Sequence, residues 1–126
     1  MANQTIQSKL APTALGAYSQ GIQAGETVYV SGQLGLSANS SVLPSTFSEQ
    51  AHQAFLNIES ILKEVGLTRT NIVKFTVFVS DLNDFSELNK IMASLFMSGA
   101  LPARSVIQAS RLPKDALIEI DAIAVH

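Results

Sequence analysis

Only two segments of this sequence repeat apolar residues at the spacing of a helix face. Thr46 and Glu49 stand at capping-box spacing at the start of the first segment, residues 46–66. Gly66 follows its last apolar residue, where helices often end on a glycine in the left-handed conformation. The second segment begins near Asp84, and its apolar face consists of Phe85, Leu88, Met92, Leu95 and Phe96. We therefore expect two helices, and every other element has to be a strand or a loop.

The remaining apolar segments are rich in β-branched and aromatic residues, which is typical of strands. These segments are residues 21–24, 27–32, 72–79, 104–109 and 117–125, and a further short N-terminal strand is left open. Residues 110–116 contain Pro113 and favour a turn, so the last two strands are predicted to form a hairpin. The predicted order is β-β-α-β-α-β-β, an α+β fold with one mixed sheet in a single domain over residues 1–126.

Both predicted helices pack on one face of that sheet, so its other face has no helix to cover it. Charged residues make up only 14% of the chain, whereas hydrophobic residues make up 47%. A small monomer usually displays more charge, and we therefore expect partner subunits to cover part of the uncharged surface.

Alternation along the last two strands places ionisable side chains on common faces. Arg104 and Val106 share one face of the first of these strands. Glu119 and Asp121 share one face of the second. In the predicted hairpin Arg104 lies opposite Asp121, or opposite Glu119 after a shift of two residues. The pattern fits an ion pair on a solvated face, and it also fits a guanidinium that binds a ligand carboxylate beside a carboxylate that orients water.

A second candidate region is the segment PTALGAYSQ, residues 12–20, together with Ser31-Gly32-Gln33. Gly32 permits a close approach of a ligand to the backbone, and Tyr18 supplies an aromatic wall with a hydroxyl. The alternative interpretation is a turn with a tyrosine packed at its edge.

Several classes of protein are disfavoured by composition. The net charge of -2 and the absence of a basic run argue against nucleic acid as the main partner. The chain has no cysteine, and His52 and His126 have no partner at metal-ligand spacing, so no metal is expected. No apolar segment approaches the ~20 residues that span a bilayer, and no leader is evident, so the expected location is the cytoplasm.

Taken in order, these segments resemble the Rid family, also called the YjgF family, and within it the reactive intermediate deaminase A branch. PTALGAYSQ is similar to the family pattern P-x-A-x-G-P-Y-S-Q, and Ser31-Gly32-Gln33 matches its S-G-Q. VKFTVFVSDLNDF, followed by Asn89, resembles the central strand and second helix. Residues 102–105 and RLPKDALIEIDAIAV resemble the C-terminal signature. The similarity runs through nearly the whole chain.

The resemblance implies a fold like that of chorismate mutase of the trimeric type, with ligand sites in clefts between the protomers of a homotrimer. It implies hydrolytic deamination of 2-aminoacrylate, 2-iminopropanoate and 2-iminobutanoate to 2-keto acids and ammonia, in amino-acid metabolism. No cofactor or metal is implied.

The resemblance also implies roles for particular residues. Arg104 would bind the substrate carboxylate, Glu119 would hold the attacking water, and Tyr18 would line the pocket. The supporting substrate-binding positions are the backbone at Gly32 and Val106 and the side chains of Ser31 and Asn89.

The sequence departs from the family pattern at several positions near this site. Val106 replaces a frequent cysteine, Met92 a common tyrosine, and Ala17 a proline. The segment between Asn89 and Arg104 is about two residues shorter than in typical members, which we expect to change the mouth of the cleft. Two other functions fit the same residues: a non-catalytic trimer that binds 2-keto acids, and the ribonuclease activity of some relatives.

Overall fold

The computed structural model describes residues 2–97 and 99–126. In chain order its main elements are β1 (Gln4–Ile6), β2 (Gly21–Ala24), β3 (Thr27–Leu34), α1 (Phe47–Lys63), β4 (Ile72–Val79), α2 (Phe85–Leu95), β5 (Ala103–Gln108) and β6 (Ile118–Val125). Short 3-10 turns lie at Arg69–Asn71, Leu82–Asp84 and Pro113–Asp115. The predicted order of helices and strands is confirmed, and the N-terminal strand that the sequence left open is present.

The strands form one mixed sheet in the order β1-β2-β3-β6-β4-β5. Strand β5 runs parallel to β4, and the other neighbouring strands are antiparallel. The α+β class with a single mixed sheet and two helices is confirmed.

The predicted hairpin between residues 104–109 and 117–125 is wrong, because β4 lies between β5 and β6. Every second residue of β6 is buried, and such a strand is stable at the centre of a sheet with a neighbour on each side. Strand β5 is largely exposed and takes the edge beside β4, after the crossover through α2. The turn within residues 110–116 therefore carries the chain past β4 and does not close a hairpin.

The ends of α1 follow the sequence signals. The hydroxyl of Thr46 accepts a hydrogen bond of 3.2 Å from the backbone N–H of Glu49. Gly66 follows the helix with φ of 76°, as expected for a left-handed C-terminal residue. Helix α2 begins at Phe85, one residue after the predicted start at Asp84.

The core lies between the helices and one sheet face. Phe75 of β4 is fully buried there, and its ring contacts Phe55 of α1 edge-on at a centroid distance of 5.3 Å. The opposite sheet face, which we call the open face, carries apolar side chains that remain accessible in the single chain, such as Tyr29 at 49% and Ile107 at 50%. In the part of the chain that the structure describes, no helix is long and apolar enough to cross a membrane.

Candidate functional site

Arg104 lies on the edge strand β5 and points toward the helices. Its register partner on β4 is Phe75, which in turn pairs with Ala122 of β6. Residues that pair directly in a sheet point to the same face, and Phe75 and Ala122 face the core. Glu119 and Asp121 occupy the alternate positions of β6 and face the other way. The prediction that Arg104 faces Glu119 or Asp121 across a hairpin is therefore wrong.

The Arg104 guanidinium contacts helix α2. Its Nη1 donates to Oδ1 of Asn89 at 2.7 Å and to Sδ of Met92 at 3.4 Å. Its Cζ lies 5.2 Å from the centroid of the Phe85 ring, at cation–π distance. The ion pairs found within residues 2–97 and 99–126 join Arg69 to Glu59 and Arg111 to Asp115, and neither involves Arg104. The interpretation of Arg104 as half of a surface ion pair is thus excluded for the single chain.

A cleft of about 440 Å³ opens beside this guanidinium. Apart from Arg104, its lining residues come from α2 and from the segment before β5, namely Asn89, Met92, Ala93, Leu101 and Pro102. The cleft therefore combines a cationic end with an apolar wall, an arrangement suited to a small ligand that carries a carboxylate.

Glu119 lies on the open face. Its register partners are Phe78 of β4 and Leu34 of β3, and it is half-buried between them. Two residues of β3, Ser31 and Gly32, span the register shift next to it. A Cβ at Gly32 would collide with the Glu119 carboxylate, so glycine leaves the space that this side chain occupies. The sequence singled out both residues, and the structure brings them into contact.

The environment of Glu119 favours proton uptake. Burial raises the pKa of the Glu119 carboxyl above its ordinary value, and the neighbouring Asp121 carboxylate raises it further. Burial also raises the pKa of Asp121, although hydrogen bonds from Thr76 and the charge of Lys74 act in the opposite direction. A carboxylate whose pKa is shifted toward neutrality is a better general base near pH 7 than an exposed one.

The Tyr18 loop is tied to the same end of β3. Ser31 Oγ donates to the backbone oxygen of Ser19 at 2.6 Å, and Ser31 N–H donates to that of Gln20 at 2.9 Å. The buried side chain of Gln20 holds the start of the loop, since its Nε2 donates to the Pro12 oxygen at 2.7 Å. Tyr18 itself is 53% exposed. The Ser31 side chain is therefore used to fix the loop.

The predicted site residues thus fall into two groups. The arginine half-site consists of Arg104, Asn89, Met92 and Phe85. The glutamate half-site consists of Glu119, Gly32, Ser31 and the loop that carries Tyr18. Arg104 and Glu119 lie two strands apart across the sheet and three residues apart along the strand direction, so their Cα atoms are separated by about 14 Å. Their side chains point to opposite faces of the sheet. Within one chain the two half-sites do not meet.

Val106 follows Arg104 on the edge strand, with its side chain packed partly against the core. A valine has no thiol, so a contact between Val106 and a ligand would use its main chain. Across residues 2–97 and 99–126, no group of three or more His, Asp or Glu side chains is placed to hold a metal ion.

Phe85 was assigned to the core stripe of α2 by its periodicity, but it is 39% exposed and lies against Arg104. Met92 lies on the same predicted apolar face and also departs from the family pattern, and neither observation linked it to Arg104. The signal that would have grouped them is the spacing of Phe85, Asn89 and Met92, which places all three on one face of the helix.

Comparisons with known proteins show what this chain is similar to over nearly its whole length. The family model described as endoribonuclease L-PSP matches residues 8–126. The 2-iminobutanoate/2-iminopropanoate deaminase of Rattus norvegicus is 46% identical over 98% of this chain and 90% of the relative. The protein of the same description from Escherichia coli strain K12 is 41% identical over 98% of both chains. The crystal structure of Escherichia coli TdcF with bound serine superposes with a TM-score of 0.94, at 38% identity over 98% of both chains.

The family model covers nearly all of the chain, and these relatives match it from end to end at identities well above the level at which a family relationship becomes clear. The chain therefore belongs to the endoribonuclease L-PSP family, also called the YjgF or Rid family.

Proposed function

We propose that this protein is a cytoplasmic deaminase that hydrolyses 2-iminopropanoate, its enamine tautomer 2-aminoacrylate, and 2-iminobutanoate to 2-keto acids and ammonia. One observation carries the proposal: the Arg104 guanidinium faces a cleft and has no carboxylate partner in the described parts of the chain. The names of the rat and Escherichia coli relatives support the choice of substrate.

A substrate carboxylate would supply the anion that Arg104 lacks. A guanidinium presents its N–H donors in a planar fork that matches a carboxylate, and each charge-assisted bond contributes about 1.5–3 kcal/mol. The apolar residues Leu101 and Pro102 beside it offer a surface for the substrate side chain. Binding by Arg104 would therefore fix the carboxylate end and place the adjacent imine carbon.

The chemistry needs one activated water. The Glu119 carboxylate accepts a proton from water as the oxygen attacks the electrophilic imine carbon, which gives a carbinolamine. With the substrate as its iminium ion, transfer of that proton to the amine nitrogen allows the C–N bond to break, so that ammonia leaves while the carbinolamine hydroxyl gives its proton to Glu119 and becomes the keto oxygen. Because 2-imino acids hydrolyse without help, positioning of water and imine carbon can account for the acceleration.

The two half-sites have to come from different protomers. Arg104 and Glu119 of one chain point to opposite faces of the sheet, so one chain cannot place both against a small substrate. In the proposed homotrimer, the arginine half-site of one protomer meets the glutamate half-site of its neighbour. The accessible apolar side chains on the open face support such an assembly, because an exposed apolar sheet face is usually covered by a partner.

We expect the protein to sediment at about three times the 13.4 kDa mass of the chain, down to low micromolar concentration. The reason is that the open face brings apolar surface to the interfaces. Analytical ultracentrifugation over a dilution series measures this directly. A compact monomer at micromolar concentration would remove both the trimer and the shared site.

The activity itself is tested by ammonia release from an imine that an amino-acid oxidase generates in the assay. Release above the spontaneous rate supports the deaminase, whereas keto-acid binding without acceleration would assign the protein as a binder. RNA cleavage that persists in highly pure Arg104→Ala protein would favour a nuclease. The net charge of -2 disfavours that outcome.

Glu119→Gln is expected to lower imine turnover about tenfold or more, within the range that general bases contribute. Binding of a 2-keto acid should stay within a few-fold, because Glu119 acts on water and Arg104 holds the ligand. Burial and the Asp121 charge raise the pKa of Glu119 above its ordinary value, so the wild-type rate should fall as the pH drops through that raised pKa. This fall in rate at low pH, the acid limb of the pH–rate profile, should be absent in Glu119→Gln.

Asp121→Asn is the matched control, since Asp121 lies on the same face of the same strand and undergoes the same change of carboxylate to amide. It should keep an acid limb, shifted to lower pH because one neighbouring negative charge is removed from Glu119. If keto-acid binding collapses in Glu119→Gln while turnover per bound substrate stays normal, Glu119 is structural and its assignment to water fails.

A further inference from the structure

Asn89 uses its side-chain oxygen to bind Arg104. Its Oδ1 accepts from Nη1 at 2.7 Å, and the bond joins helix α2 to the edge strand β5. The resemblance to the family suggested Asn89 as a direct ligand of the substrate. The geometry gives the oxygen of this side chain a further partner, the guanidinium of Arg104.

Met92 and Phe85 hold the same guanidinium from the same helix face. Met92 Sδ accepts from Nη1 at 3.4 Å, and Met92 is only 5% exposed, so its thioether is fixed by the core. The Phe85 ring lies 5.2 Å from Cζ and limits tilting of the guanidinium plane. Three side chains of α2 thus restrain one end of the Arg104 side chain.

These contacts leave one edge of the fork available. A guanidinium has N–H donors on Nε, Nη1 and Nη2, and a carboxylate binds in two parallel bonds along one edge. Both acceptors found in the described parts of the chain bind Nη1. The edge formed by Nε and Nη2 has no protein acceptor there.

We propose that Asn89 and Met92 are positioning residues, which hold Arg104 by Nη1 so that its Nε–Nη2 edge receives the substrate carboxylate. The identity of the ligand rests on the proposed deaminase function, but the orientation of the guanidinium does not. Because the carboxylate is bonded to the imine carbon, the orientation of this edge also fixes the distance from the imine carbon to the water.

Arginine side-chain NMR can observe this orientation without any catalysis. The chain contains three arginines, Arg69, Arg104 and Arg111, so ¹⁵N-labelled arginine gives a sparse spectrum, and Arg104→Lys assigns the Arg104 signals. Arg69 is a reference for a fixed side chain, because it binds both Glu59 and the Leu95 oxygen. Arg111 is a reference for an exposed one, with its side chain 79% accessible.

In the ligand-free protein we expect slow rotation about the Cζ–Nη1 bond of Arg104, as in Arg69 and unlike Arg111. Asn89→Ala should make that rotation fast, whereas Ser86→Ala, at an exposed position of the same helix, should leave it slow. Adding 2-oxobutanoate should shift Nε and Nη2 more than Nη1. Fast rotation in the wild type, or a ligand shift confined to Nη1, would overturn the proposal.

Kinetics then separate positioning from a merely structural role. Asn89→Ala is expected to raise KM about tenfold, which corresponds to one hydrogen bond to a charged group, and also to lower kcat because the imine carbon moves relative to the water. Met92→Leu keeps the volume but loses the acceptor, so a smaller effect of about twofold is expected. Unchanged kcat and KM in Asn89→Ala would contradict the positioning role.

The two proposals fail in different ways. If the wild type releases no ammonia from imines and 2-oxobutanoate still shifts Nε and Nη2, the orientation of Arg104 stands and the deaminase is wrong. If the wild type turns over imines but rotation about Cζ–Nη1 is independent of Asn89, the positioning role is wrong and the deaminase stands.

Discussion

Arg104→Lys is expected to fold and assemble normally but to lose imine turnover by about 10²-fold or more, as when roughly 3 kcal/mol of positioning is removed. Lysine keeps the charge but offers a point donor in place of a planar fork, so it cannot bind a carboxylate by two parallel bonds. It also cannot reproduce the contacts of Nη1 with Asn89 and Met92 while it faces the ligand.

The matched control is Arg111→Lys. Arg111 is exposed and pairs with Asp115 on the surface, where an ion pair contributes little and tolerates lysine. Circular dichroism and sedimentation establish that both variants fold and assemble. Binding of 2-oxobutanoate to the folded state should raise the melting temperature of the wild type and of Arg111→Lys. Arg104→Lys should show no such rise, because it no longer binds the ligand. Near-normal imine turnover in Arg104→Lys would return this residue to a structural role.

Gly35→Ala is expected to destabilise the fold by about 3 kcal/mol, at the upper end of what overpacking usually costs. A Cβ at Gly35 would collide with backbone atoms of Gln50 in the first turns of α1, and backbone cannot rotate away. The Gln50 side chain accepts from Leu117 N–H at 2.8 Å and donates to the Pro44 oxygen at 2.8 Å, so a shift of the helix breaks both bonds. Chemical denaturation measures the loss.

Gly32→Ala provides the contrast. Its Cβ would meet the end of the flexible Glu119 side chain, which can rotate, so stability should change by no more than about 1 kcal/mol. Imine turnover should nevertheless fall to the level of Glu119→Gln, because the carboxylate is displaced. Gly99→Ala should change neither quantity, since a Cβ there meets open space. Equal loss of stability in Gly32→Ala and Gly35→Ala would refute this account of the two glycines.

Much of the fold could be predicted from the sequence because the decisive signals are local. The cap at Thr46, the left-handed Gly66 and the alternation along β6 depend only on neighbouring residues. Local signals do not say which strands become neighbours. A turn followed by a strand favours a hairpin, but β5 is paired with β4 through a long crossover, and β6 enters on the far side of β4.

The same limit applies to the candidate site. Alternation shows which residues of one strand share a face. Which face of a second strand lies on the same side of the sheet depends on how the two strands are paired. Arg104 was therefore placed on the face of Glu119, and the structure places it on the opposite face. The resemblance to the family supplied the individual residues, and Phe85 was missed because a helix-face pattern cannot distinguish packing on the core from packing on an arginine.

The central claim is that each active site takes Arg104 from one protomer and Glu119 from its neighbour, and mixing two inactive variants tests it. Arg104→Lys and Glu119→Gln chains are unfolded together at equal amounts and refolded, so that they assemble at random. Each mixed trimer then contains one site with both native residues, whichever variant is in the majority. We predict that imine turnover rises from the level of the separate variants to about a quarter of the wild-type rate, as expected for a closed ring of three chains. Turnover that stays at the average of the separately refolded variants, in trimers shown by mass spectrometry to be mixed, would contradict the shared site.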